Sequence, residues 1–146
     1  GLIANEGGRT RERAELKSRD GLSSPGVLSL VAHIAAYRAG ATWLDALRGC
    51  LQADLRYIAD ELNGAFPSLS WQVPESTYLA WIDLSPLGID ASALQNELIH
   101  RQKVAIMPGS TYGADFQHFI RLNAGCPRAK LEQGVARLIA SIRAIQ

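Results

Sequence analysis

Several kinds of chemistry are excluded by what this sequence has too little of. Cysteine occurs twice, at Cys50 and Cys126, with no Cys-x-x-Cys pair, so reduced thiols in a cytoplasmic setting are expected rather than a disulfide framework. His33, His100 and His118 are too scattered to form a local metal motif. Lysine is as rare, present only as Lys17, Lys103 and Lys130, each in a context that suits a solvated side chain. There is no Gly-x-Ser-x-Gly elbow for a nucleophile and no Gly-x-x-x-x-Gly-Lys loop for a phosphate. No apolar run is long enough to span a bilayer. The formal net charge is +1, and the basic residues form no block beyond the scattered RTRER, so nucleic acid is not the expected partner.

What is present is an ordinary globular composition: 146 residues, 47% hydrophobic and 20% charged, enough for one core-bearing unit. The opening GLIAN reads as a short buried strand already under way, without a methionine, and the chain is expected to be a fragment of a longer protein. RTRERAELKSRDG interleaves Arg and Glu as a solvated helix ended by Gly21. Ser24 and Pro25 then suit the cap and first position of a helix that stops at Gly40. Thr42 starts another, whose Leu44, Leu47, Leu51, Leu55, Ile58 and Leu62 recur at spacings of three and four and predict a core face.

From Leu69 the period shortens. SWQV and YLAWIDL, separated by PEST, predict two extended segments paired antiparallel. Asp90 is placed to cap a helix carrying Leu94, Leu98 and Ile99, KVAIMPG predicts a short strand, and Pro127 opens a last helix with Leu131, Val135, Leu138, Ile142 and Ile145 in step. The fold class is therefore α+β: long N-terminal helices, then helices against a small, mainly antiparallel sheet. The expected division is a helical segment over residues 1–66 and a small α+β domain over residues 67–146.

One charge breaks the pattern. In a strand from Phe119 to Ala124, Ile120, Leu122 and Ala124 share a core face, and Phe119, Arg121 and Asn123 look outward. Just before it, the turn-rich PGSTYG supplies Gly109, where the backbone can bend close to a neighbour, and Tyr112, a phenol on an apolar body. An arginine on such a face calls for an anion, because a buried charge left without its partner costs roughly 3–5 kcal/mol. Spacing leaves two candidates open: a structural Asp or Glu of the same chain, or a ligand carboxylate held by the planar guanidinium fork. His33 and His118 read as packing histidines.

GLSSPGVLSLVAHIAAYRAGATWLDALRGCL, PESTYLAWIDL, VAIMPGSTYG and FIRLNAGCPRAKLEQGVARL together closely resemble the carboxy-terminal portion of class I/II aminotransferase-fold enzymes, across essentially the whole chain. The nearest likeness is to a bifunctional branch that cleaves cystathionine and represses maltose genes through their transcription activator. The resemblance implies a pyridoxal phosphate (PLP) enzyme, homodimeric when whole, that converts cystathionine to homocysteine, pyruvate and ammonia. It also implies that Arg121 binds the substrate α-carboxylate, with Asn123 beside it and Tyr112 and Gly109 lining the entrance. The family's cofactor-anchoring lysine sits in a Ser-Lys-x-Phe-Asn type motif that this chain lacks, so the chain alone is expected to be inactive and to hold no cofactor. Two other functions fit the same residues: the carboxy-terminal domain of an aminotransferase, and a domain serving only packing and dimerisation.

Overall fold

The computed structural model describes residues 26–146. The strand expected at GLIAN, the charged helix after it, and Ser24 and Pro25 lie outside the described residues. The chain divides into two compact units after Asp45, the second running from Ala46 to Gln146.

Helix α1 spans Val27–Ala39, with Gly26 at its N-cap and no side-chain cap. It is mostly apolar, with Ser29, His33 and Arg38 as its polar residues, and Val27, Leu28 and Tyr37 are each more than three-quarters exposed. Gly40 closes it by donating its N–H to Ala36 O at 2.8 Å. A Cβ at Gly40 would lie 2.5 Å from that oxygen, which is why the stop signal read from the sequence has to be glycine.

Helix α2, Ala41–Ala65, runs on into the second unit. Its expected apolar stripe is a core face only in its later turns: Leu55, Ile58 and Leu62 are buried, whereas Leu44 is 40% exposed. In the second unit these three side chains join Ala91, Leu94 and Leu98, from α3 (Ala91–Glu97) and the π turn after it, and Leu131, Val135, Leu138 and Ile142 of α4 (Arg128–Ile145). All pack on one face of a three-stranded sheet through Ala80, Ile82, Ile120 and Leu122. The strands are β1 (Leu79–Asp83), β2 (Met107–Pro108) and β3 (Phe119–Asn123), in the antiparallel order β1-β3-β2. One layer of helices on one side of a small antiparallel sheet is the predicted α+β class.

Two local expectations held. Asp90 Oδ1 accepts from the amides of Ser92 (3.0 Å) and Ala93 (2.9 Å), an N-cap that satisfies donors the helix itself leaves orphaned. β3 buries Ile120 and Leu122, as Ala124 just beyond it is buried, and turns Phe119, Arg121 and Asn123 outward.

Others did not. SWQV is not a strand, because Trp71 finds its backbone partners in a side chain. Its N–H donates to Asn63 Oδ1 at 2.8 Å and its carbonyl accepts from Asn63 Nδ2 at 2.9 Å, so the amide of α2's last turns replaces a strand neighbour. β1 pairs with β3 instead. KVAIMPG contributes only Met107 and Pro108 to the sheet, since Lys103 turns into the left-handed region (φ 56°) and residues 104–106 make no ladder. His33 is exposed, with its ring 5.0 Å from that of Tyr37, centroid to centroid.

Candidate functional site

The register of the sheet builds the outward face. Arg121, on the central strand, has Trp81 as its Cα partner on one side and Met107 on the other. Side chains opposite one another in an antiparallel pair point to the same face, so the three stand in one row across the sheet. Trp81 stacks on Phe119 (centroids 5.5 Å, planes 22° apart) and meets Tyr112 and Phe116 edge-on at 5.6 and 5.5 Å. Phe116 and Phe119 are edge-to-face at 5.5 Å. The result is a wall of four aromatic rings, with the Arg121 guanidinium carbon 5.0 Å from the centre of the Tyr112 ring.

Gly109 holds this wall together from beneath. It is buried, and a Cβ there would lie 2.3 Å from Phe116 O and 2.7 Å from Phe119 Cβ. The loop carrying Tyr112 and Phe116 folds back onto β3 because glycine lets the two backbones touch. Asn123 is exposed at the strand's end, and its Oδ1 accepts the N–H of Gly125 at 2.8 Å, with no acceptor for its amide NH₂ among the described residues.

Arg121 pairs with no Asp or Glu among the described residues. The structural-carboxylate alternative therefore fails among those residues, and a half-buried guanidinium is left with an aromatic face alone. Around it Tyr112 is 46% exposed and Met107 and Phe116 are each 38% exposed, so the row is open to a ligand or to another part of a longer protein. A cavity of about 830 Å³ lies between α2 and residues 73–78, and contains none of the candidate site residues picked from the sequence.

Arg128, at the start of α4, is the opposite case. It donates through Nε to Glu132 at 2.8 Å and through a terminal nitrogen to Asp54 at 3.2 Å, with its guanidinium carbon 4.0 Å from the centre of the Tyr57 ring. The hydrogen bond it donates to Glu132 raises its pKa above the ordinary arginine value. Burial first, then Glu61 and Glu132, push the Tyr57 phenol up, with Arg128 opposing them.

His118 is a structural histidine, its Nδ1 bonded to Ile89 O at 2.8 Å. No group of His, Cys, Asp and Glu able to hold a metal ion occurs among the described residues. Lys103 is exposed, with its Nζ on His100 O at 3.1 Å, and Lys130 is exposed on α4, so neither brings an amine to the Arg121 row. The described residues thus do not make a PLP site by themselves; what they offer is a cation and an aromatic wall.

Trp81 and Phe116 were not among the residues picked from the sequence. The alternation of LAWID, which puts Trp81 opposite to Ala80 and Ile82, is a signal that could have found the first. Phe116 lies in a short 3₁₀ turn with no such period.

The family model for class I and II aminotransferases matches residues 11–138, and the chain belongs to that family. It is 62% identical over 146 residues to Protein MalY of Escherichia coli (strain K12), all of this chain and 37% of that protein. Cystathionine beta-lyase PatB of Bacillus subtilis (strain 168) is 33% identical over 124 residues, 85% of this chain and 32% of PatB. Among solved structures, cystalysin from Treponema denticola, which contains a pyridoxal 5'-phosphate cofactor, superposes with a TM-score of 0.81 at 26% identity, covering 99% of this chain and 36% of that one. The PLP-bound C–S lyase from Staphylococcus hominis gives 0.76 at 30% identity, over 88% of this chain and 34% of that one. The chain spans about a third of the length of the curated relatives it matches, 37% for MalY and 32% for PatB. No helix among the described residues is long and apolar enough to cross a membrane.

Proposed function

We propose that this chain is the substrate-carboxylate-binding part of a PLP-dependent carbon–sulfur β-lyase, which takes cystathionine to homocysteine, pyruvate and ammonia in the cytoplasm as a homodimer. The observation that carries the reading is Arg121: half-buried, set between Trp81 and Met107, and paired with no acid among the described residues. A guanidinium so placed matches a carboxylate with two parallel hydrogen bonds, and the aromatic wall beside it lowers the local dielectric and strengthens them. Asn123 supplies a further donor, Tyr112 orients the guanidinium, and Gly109 keeps the loop at the entrance closed onto β3. The electron sink is the cofactor's to supply, and its anchoring lysine belongs to sequence outside this chain. In the proposed whole protein residues 1–66 continue from the cofactor-binding domain, and residues 67–146 form the small domain. The chain alone is inactive in this reading.

The likeness to lyases such as PatB favours elimination over amino transfer. In the full-length protein, cystathionine turnover releasing pyruvate with free ammonia supports the lyase, whereas stoichiometric exchange with a keto acid replaces it with an aminotransferase. Arg121→Ala is expected to raise KM for cystathionine and leave the bound-cofactor absorbance unchanged; an unaltered KM removes the carboxylate role. For the 146-residue chain, borohydride treatment after adding PLP is expected to trap no adduct at a defined lysine.

The 62% identity to MalY also supports a second role, repression of the maltose regulon by binding its transcription activator as protein to protein. Expression of maltose genes in a strain carrying the full-length protein is expected to fall, and unchanged expression removes this role.

A further inference from the structure

A second group of cations also has no acid partner among the described residues, and it lines a cavity. Before Met107 the chain is not yet paired with β3, and the gap between residues 103–105, the end of β3 and the first turns of α4 is a cavity of about 420 Å³. Its floor is apolar, with Val104, Leu122, Leu131 and Val135, and Lys103, Lys130 and Arg137 stand around it with no Asp or Glu in the lining. Two of the three are held in place by backbone carbonyls: Lys103 Nζ donates to His100 O at 3.1 Å, and Arg137 to Gln102 O at 3.0 Å. A carbonyl positions a cation without neutralising it. Lys103 also occupies a left-handed backbone position (φ 56°) where glycine is the unstrained choice. By contrast, Arg101 and Arg128 of the same unit are each matched with carboxylates. Three like charges around one apolar floor repel one another until an anion sits among them.

We infer that this cavity binds a phosphate monoester, its dianionic oxygens among Lys103, Lys130 and Arg137 and its organic body over Val104 and Leu131. A dianion matches the tethered pair with Lys130 closing from α4, and an apolar floor suits an esterified phosphate better than the free ion.

The test is calorimetric titration of the full-length, cofactor-loaded protein with phenyl phosphate and with inorganic phosphate, at low and moderate salt. Phenyl phosphate is expected to bind more tightly and to weaken as salt rises. Lys130→Gln, an exposed change that leaves turnover untouched, is expected to cut its affinity about tenfold, and Lys103→Gln with Lys130→Gln further. Arg121→Ala is expected to leave this binding intact, which separates the cavity from the proposed carboxylate clamp. Binding unchanged in the double variant, lost in Arg121→Ala, or absent at millimolar phenyl phosphate overturns the assignment. Tighter binding of inorganic phosphate than of the ester overturns it too.

Discussion

Arg121 and Arg128 both lie over a tyrosine ring, at 5.0 and 4.0 Å from its centre, yet their surroundings differ in kind. Arg128 ties the first turn of α4 to Asp54 of α2 and to its own Glu132, so its charge is spent within the fold. Arg121 has aromatic neighbours and no carboxylate among the described residues. A matched cation holds elements together; an unmatched one on an open face is available to something the fold does not contain.

The sharpest way to break this contrast is to remove each charge in the full-length protein. Arg121→Ala should lose a charged, bidentate contact of about 3 kcal/mol, read as a rise in KM on the order of a hundredfold, with melting temperature nearly unchanged. A variant that loses stability and keeps its KM would place Arg121 in the structural class with Arg128.

Gly109→Ala tests whether the aromatic wall depends on backbone contact. The added methyl meets Phe116 O at 2.3 Å, and overpacking of this kind costs about 1–3 kcal/mol, measured as lower stability to urea. Loss of the Trp81 ring contacts should accompany it, seen as a weaker near-ultraviolet circular dichroism signal. Unchanged stability shows that the loop can lift without consequence.

A smaller gain is expected at Ser141, which is fully buried with its hydroxyl unpaired. Ser141→Ala removes that unmet polar group and should stabilise the protein by about 1 kcal/mol in chemical unfolding. The smallest effect on KM belongs to Arg128→Ala, which strands the buried Asp54 carboxylate and should lower thermal stability while leaving KM for cystathionine unaltered. A raised KM there would blur the distinction between the two arginines.

How much of this was legible follows from the range of each interaction. β3 could be read because strand alternation is local, and its faces came out residue for residue. The Asp90 cap was likewise written within three residues. SWQV misled because its fate depends on Asn63, eight residues away and on a helix. The stripe of α2 was correct in period, but spacing alone could not say that Leu44 stays exposed while Leu62 is sealed. That Arg121 faces outward was legible. That no carboxylate among the described residues pairs with Arg121 was not, because only the folded chain shows which acids come near; the Asp54–Arg128 pair spans 74 positions.

Trp71 has one more consequence. β1 lies at the sheet's edge, and alternation of the antiparallel ladder turns the backbone groups of Leu79, Trp81 and Asp83 away from β3. An edge of that kind is a template on which another chain can add a strand and start an aggregate. The Trp71 indole N–H donates to Trp81 O at 2.7 Å, at the middle of that row. The failed strand SWQV thereby acts as a guard: it occupies the central acceptor with a side chain and presents no ladder of its own to a passing molecule.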